Sequence, residues 1–229
     1  MEEKQHIGTL FDRIAKTYDR LNHLLSFNAD KRWRRKTVRQ LAPCQKALDV
    51  AVGTGDLAIE IIRQEKAAQV VGIDLSTEMM RIGAEKAEKL GLTGRITFEE
   101  GSALALPYPD GCFEAVTCAF GIRNFSDLDA GLAEMLRVLR TGGQLVILEF
   151  SYPQRPIFRG IYNFYFNRIL PGIGKRVSKD AHAYSYLNRS VKEFIHGEQM
   201  VVKLKEIGFQ EPHLKTLTNG ISTIYIAKK

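Results

Sequence analysis

The stretch Asp49–Ala58, DVAVGTGDLA, changes character in its middle. It begins as the end of an apolar run, Ala47–Ala51, whose length and flanks read as a buried strand. It stops at Gly53 and Gly55, and a carboxylate, Asp56, follows at once. Glycine lets the backbone turn sharply and approach a ligand with no Cβ in the way. Leu57–Arg63 then reads as a helix. Strand, glycine turn and helix in this order open a doubly wound α/β sheet, in which ligands bind beyond the carboxyl ends of the strands.

Working outward, the pattern repeats. Gln69–Ile73 is a second buried strand ending at Asp74, and Ser76 is placed to cap a helix that runs toward Gly91. Arg95–Glu100 and Phe113–Cys118 read as strands three and four. Ser126 with Asp129 resembles a capping box for a helix ending near Leu139, Thr141-Gly142-Gly143 reads as a tight turn, and Gln144–Phe150 as strand five. Strands alternating with helices predict a mostly parallel sheet. Asn219-Gly220 between two alternating runs predicts an antiparallel hairpin at the far edge. Upstream, Ile7, Leu10, Phe11, Ile14, Tyr18 and Leu21 recur at helical spacing, and a basic helix, Asp30–Leu41, follows a break at 22–28. The expected organisation is one domain: a helical cap over 1–42, a Rossmann-like core over 45–150 and 198–229, and an inserted segment over 152–197.

Apolar residues make up 45% of the 229, enough for a sizeable core, and no run approaches a membrane-spanning length. The polar start MEEKQHIG lacks the apolar core of a signal peptide. Cys44, Cys112 and Cys118 show no C-x-x-C spacing, so no disulfide frame or metal site is expected and a cytoplasmic setting is. The formal charge of +7 suits a polyanion, an anionic membrane or an acidic ligand without choosing among them. Lys31, Arg32, Arg34, Arg35, Lys36 and Arg39 read as a solvated basic patch around Trp33. Between Ile157 and Leu170, Arg159, Asn163 and Asn167 form a narrow polar stripe on an otherwise apolar helix, suited to an apolar groove, an interfacial position or the core.

The ligand follows from the acids. Asp74 stands where a carboxylate accepts hydrogen bonds from both ribose hydroxyls. A dinucleotide would need G-x-G-x-x-G, but here G-T-G is followed by D-L-A, and Asp56 would repel a pyrophosphate. A nucleoside with a cationic or zwitterionic tail, the shape of S-adenosylmethionine, fits better. Gly53, Thr54, Gly55 and Asp56 would take its methionine side and Asp74 with Leu75 its ribose. Ser102 and Ala103 would lie beside adenine, with Leu104 and Leu106 against the ring.

At this point a resemblance enters. YDRLNHLLSFNADKRW (Tyr18–Trp33), FGIRNFSD (Phe120–Asp127), RVLRTGGQLVILEFS (Arg137–Ser151) and YSYLNRSVKEF (Tyr184–Phe194) are similar to signatures of the ubiquinone/menaquinone biosynthesis C-methyltransferase family, within the class I S-adenosylmethionine-dependent methyltransferases. The chain departs from that family's usual residues at Asp30, Val52, Ser102, Ala119 and Ile195. The resemblance implies a seven-stranded Rossmann-like sheet and C-methylation of a polyprenylated quinol, demethylmenaquinol to menaquinol, with a ubiquinone precursor as the alternative acceptor. It places Arg123 and Asn124 at the quinol, where Arg123 would stabilise a phenolate, and lets Tyr18 and Asp19 close the site, with His23 and His182 as weaker base candidates. The basic helix around Trp33 and the Ile157–Leu170 segment lead us to expect peripheral contact with anionic lipid on the inner face of the plasma membrane. A homodimer is left open. An RNA methyltransferase using the basic helix, or a binding protein without turnover, is the rival reading; with no stacking signature present, nucleic acid is not expected.

Overall fold

The computed structural model describes residues 7–153, 156–164, 168 and 189–229. Two helices come first, α1 (Ile7–Leu25) and α2 (Ala29–Val38). The alternating core follows as β1 (Cys44–Val50), α3 (Asp56–Arg63), β2 (Ala67–Asp74), α4 (Thr77–Lys89), β3 (Ile96–Glu100), β4 (Phe113–Ala119), α5 (Leu128–Val138) and β5 (Leu139–Phe150). Then come α6 (Pro156–Phe164), α7 (Glu198–Ile207), β6 (Gln210–Leu217) and β7 (Ser222–Lys228). The strands form one sheet in the order β3-β2-β1-β4-β5-β7-β6, parallel except for the pairs that involve β7. The chain reverses its winding between β1 and β4, so a crevice opens at the carboxyl ends of those two strands.

The expected class is met, including the antiparallel hairpin, whose turn is a short 3₁₀ segment, Thr218–Gly220. Local rules hold where the sequence is short-range. Ser76 caps α4 by accepting from Met79 N–H at 3.2 Å. At α5, however, the cap is Asp127, which accepts from Ala130 N–H at 3.0 Å, and not Ser126. The supposed turn at Thr141-Gly142-Gly143 is part of β5: the register jumps from Phe113↔Leu139 to Ala115↔Gln144, so these residues bulge out of a continuing strand. Helix α1 runs through the expected break to Leu25, and the chain reverses instead at Phe27 and Asn28, both in left-handed conformation.

Two apolar layers sandwich the sheet. Trp33, Leu57, Ile61, Val146 and Ile224 join one; Leu48, Phe113, Met135, Leu204 and Tyr225 join the other. Helix α2 turns its Asp30, Trp33, Arg34, Thr37 and Val38 stripe inward. Trp33 Nε1–H donates to Thr218 Oγ1 at 2.7 Å, fastening this helix to the hairpin 185 residues away. Arg34 is therefore not part of the basic patch; its neighbours Lys31, Arg32, Arg35, Lys36 and Arg39 are. Of the apolar helix expected over 157–170, the described part ends at Phe164. Asn167 and Leu170, with His182 and residues 184–188 of the Tyr184–Phe194 signature, lie outside the described residues.

Candidate active site

Both strands flanking the crevice end in backbone strain. Ala51 after β1 has φ +55° and Phe120 after β4 has φ +60°, conformations that cost about 1–3 kcal/mol and cluster where a ligand is clamped. The two turns touch: a Cβ on Gly121 would fall 2.6 Å from the Cβ of Ala51. Gly53 and Gly55 follow with φ +53° and +76°. A side chain at Gly55 would meet the Phe98 ring at 2.9 Å, so the turn must be bare both to adopt its shape and to let this ring of β3 pack against it.

A cavity opens over these turns. Its floor is Ala51, Gly53, Ala119, Phe120 and Gly121, with Asp74 and Leu75 on one side and Ser102, Ala103 and Leu104 on the next. Helix α1 roofs it with Gly8, Phe11 and Tyr18, and Asn124, Phe125 and Ser126 close the far wall. Thus Tyr18, Gly53, Asp74, Leu75, Ser102, Ala103 and Asn124 are brought together as lining residues. Asp19, Thr54, Gly55, Asp56 and Arg123 stand behind them. Leu106, expected against the adenine ring, is buried in the core and not in the wall.

Asp74 is held by backbone alone. Gly53 N–H donates to its Oδ2 at 2.8 Å and Ser76 N–H to its Oδ1 at 2.9 Å. Burial pushes its carboxyl up, with these donors opposing. Each oxygen has about two acceptor positions and uses one, so one on each remains for a ligand hydroxyl. Ser102 Oγ accepts from Leu104 N–H at 3.1 Å and shapes the turn beside it.

Behind the glycine turn lies a charged network that the sequence reading missed. Lys86 Nζ donates to Asp19 Oδ2 at 2.8 Å, to Thr54 Oγ1 at 3.2 Å and to Asp56. Thr54 Oγ1–H donates to Asp19 Oδ1 at 2.6 Å. Arg34 pairs with Asp30 and, at 3.6 Å, with Asp56. Burial works to raise Asp56, but Arg34 and Lys86 outweigh it and hold the carboxyl below its usual range. His23 Nδ1 lies 2.7 Å from Asp30 Oδ2. His23, Asp30 and Asp56 converge closely enough to hold a cation, yet Arg34 and Lys86 already occupy the carboxylates. Set against Lys86 and Arg34, the carboxylates of Asp19, Asp30 and Asp56 leave a net negative charge to which Asp74 adds. Such a surface disfavours a pyrophosphate and favours a cationic ligand.

At the β4 end, Arg123 is 6% exposed and paired with Glu149 of β5, Nη1 to Oε1 at 2.9 Å. Tyr18 is pushed up by burial, while the nearby Arg123 and Arg34 pull it down. Glu149 and Lys86 carry no local spacing signal. Phe11 did, through its helical phase with Tyr18, and the two rings meet edge-on at 5.8 Å.

With this geometry in view, comparison with known proteins is specific. The model of the ubiE/COQ5 methyltransferase family matches residues 1–229. A Bacteroides fragilis protein named demethylmenaquinone methyltransferase is 44% identical over 230 residues, covering 100% of this chain and 94% of that protein. A Geobacter sulfurreducens protein named ubiquinone/menaquinone biosynthesis C-methyltransferase UbiE is 46% identical over 231 residues, covering 100% and 90%. Among solved structures, phosphoethanolamine N-methyltransferase 2 of Haemonchus contortus, in complex with S-adenosyl-L-methionine, superposes with a TM-score of 0.60 at 16% identity. The match covers 82% of this chain and 49% of that one, and at this identity it speaks for the fold alone.

Proposed function

Because the chain belongs to the ubiE/COQ5 methyltransferase family, we propose that it methylates a ring carbon of a polyprenylated quinol, converting demethylmenaquinol to menaquinol in menaquinone biosynthesis. It is an S-adenosylmethionine-dependent C-methyltransferase. The observation that carries the reading is the cleft at the β1/β4 switch point, where Asp74 keeps two acceptor positions open beside a bare glycine turn. Those positions suit the two ribose hydroxyls, and the net negative network behind Gly53–Asp56 suits the cationic tail. Ser102, Ala103 and Leu104 take the adenine side. When bound, the donor supplies an electrophilic methyl group on a cationic sulfur, which the acceptor carbon takes as the S–C bond breaks and the ring proton is lost.

The chain's own part is to hold the acceptor in line and to stabilise the phenolate that makes its ring carbon nucleophilic. Asn124 and Tyr18 in the wall bound the acceptor's position, Arg123 supplies positive charge, and Asp19 with Thr54 and Lys86 holds the roof helix down. Residues 152–197 form the substrate-side insertion in this reading. The exposed Lys31, Arg32, Arg35, Lys36 and Arg39, with Phe27 72% exposed at the adjacent turn, support peripheral contact with anionic lipid, the phase from which a prenylated quinol is drawn. No helix among the described residues is long and apolar enough to cross a membrane.

The test is methyl-labelled donor incubated with reduced demethylmenaquinone and, separately, with a demethylated ubiquinone precursor. Label is expected in the naphthoquinol, and transfer to neither acceptor would sink the proposal. Co-sedimentation with anionic vesicles should fall as salt rises. Equal partition onto neutral vesicles would remove the electrostatic part.

A further inference from the structure

Arg123 has an anomaly that the methyl-transfer chemistry does not explain. Among the described residues, its Nε–H is buried and has no hydrogen-bond partner. A buried donor left unsatisfied is costly, so a native structure that keeps one calls for an explanation. The Nη1 end of this side chain, by contrast, is held tightly. Nη1 donates to Glu149 Oε1 at 2.9 Å and to the carbonyl of Phe120. The guanidinium carbon sits 5.4 Å from the centre of the Phe150 ring. The backbone N–H of Arg123 donates to Glu149 Oε2 at 3.3 Å, so one carboxylate holds both the main chain and the side chain of the same residue.

Glu149 is itself fully buried. Its contacts all come from donors: the two from Arg123, and Phe150 N–H to Oε1 at 2.8 Å. The ionised form is therefore the one its surroundings serve, although burial pushes its carboxyl up against the pull of Arg123. Strand β5 fixes its place, paired through Glu149↔Thr223 to β7. The carboxylate thus reads as part of a rigid frame that touches no ligand.

We propose that Glu149 is the positioning residue for Arg123: it clamps Nη1 and the main-chain N–H and so holds the guanidinium just behind the cavity wall, even with Nε–H unpaired, where its charge acts on the oxygen of the quinol acceptor. A second role follows from charge. The carboxylate offsets part of the guanidinium's field and so sets the pH at which the acceptor's hydroxyl ionises. The inference rests on reading Arg123 as the group that acts on the phenolate oxygen.

Its test is a cycle of Arg123→Ala, Glu149→Gln and the double variant, in single-turnover methylation of a reduced, short-tailed demethylmenaquinone, with donor affinity measured by calorimetry. Glu149→Gln should leave donor affinity unchanged and lower turnover about 10²-fold, the scale of a misplaced reacting group. The acid limb of its pH–rate profile should move to lower pH, because an uncompensated guanidinium favours the phenolate; general loosening of the fold would not do this. In the Arg123→Ala background Glu149→Gln should add almost nothing. Full turnover in Glu149→Gln, or an equal loss in both backgrounds, would overturn the proposal. Should Glu149→Gln fail to fold, Glu149→Asp keeps the charge but withdraws it from Nη1. It too should lose turnover at unchanged donor affinity, and wild-type turnover would count against the clamp. Wild-type turnover in Arg123→Ala would instead overturn the reading of Arg123, a result separable from any failure of Glu149.

Discussion

Each end of the cleft is organised by a carboxylate, and the two are held in opposite ways. Asp74, at the end of β2, is partly open to the cavity, receives only backbone N–H groups and keeps acceptor positions free. Glu149, near the end of β5, is sealed and receives a guanidinium, so any influence it has on a ligand must pass through Arg123. The first arrangement suits direct binding of a neutral, hydroxyl-bearing group. The second suits control of charge at a reacting oxygen. The contrast teaches that one cleft can divide donor binding from acceptor activation between carboxylates placed on either side of the β1/β4 switch point.

That division can be broken experimentally. The largest effect is expected at the acceptor end. Arg123→Lys keeps the charge but loses the planar fork, and should lower single-turnover methylation by about 10²–10³, or 3–4 kcal/mol, with donor affinity unchanged. If donor binding falls as well, the two ends are not separate. At the donor end, Asp74→Ala should weaken S-adenosylmethionine by roughly 2 kcal/mol, about 30-fold by calorimetry. Retained affinity would move the ribose away from Asp74.

A third carboxylate sharpens the comparison through pH. Asp49 of β1 is 1% exposed and accepts from Thr117 Oγ1–H at 2.7 Å; burial pushes it up to about 7. Here the native state holds a proton that the unfolded chain releases near its ordinary value. Asp49 therefore costs no stability at low pH, and stability should fall as pH rises from about 4 through about 7, by no more than about 1.4 kcal/mol per pH unit. Denaturant midpoints across that window should fall in the wild type and flatten in Asp49→Asn; a wild-type curve equal to the variant's would mean that Asp49 is ionised throughout. The smallest effect belongs to the roof. Lys86→Met removes partly exposed ion pairs to Asp19 and Asp56 and should cost about 1 kcal/mol or less, read as a small drop in thermal midpoint. No drop would mean that packing alone holds α1.

The donor end was legible because its signals are local. Strand end, glycine turn, Asp74 and the Ser76 cap lie within a stretch whose spacing has direct steric and hydrogen-bonding meaning. The hairpin at Asn219-Gly220 was legible for the same reason. Arg34 was misread in a run of cations, although its phase with Trp33, Thr37 and Val38 marks the inward stripe of α2. The Thr141–Gly143 bulge was misread because turn-forming residues also serve where a strand absorbs extra length.

The sequence by itself determined the order of strands and helices, the bare turn, the acid that faces it and the family. These depend on residue type and short-range spacing, which backbone sterics translate directly. Only the tertiary structure decided which charges are buried and with whom. Glu149 meets Arg123 across 26 residues and Lys86 meets Asp19 across 67. Such pairings exist because the sheet order and helix packing bring distant segments together, and burial then makes an unpaired charge too costly to leave alone.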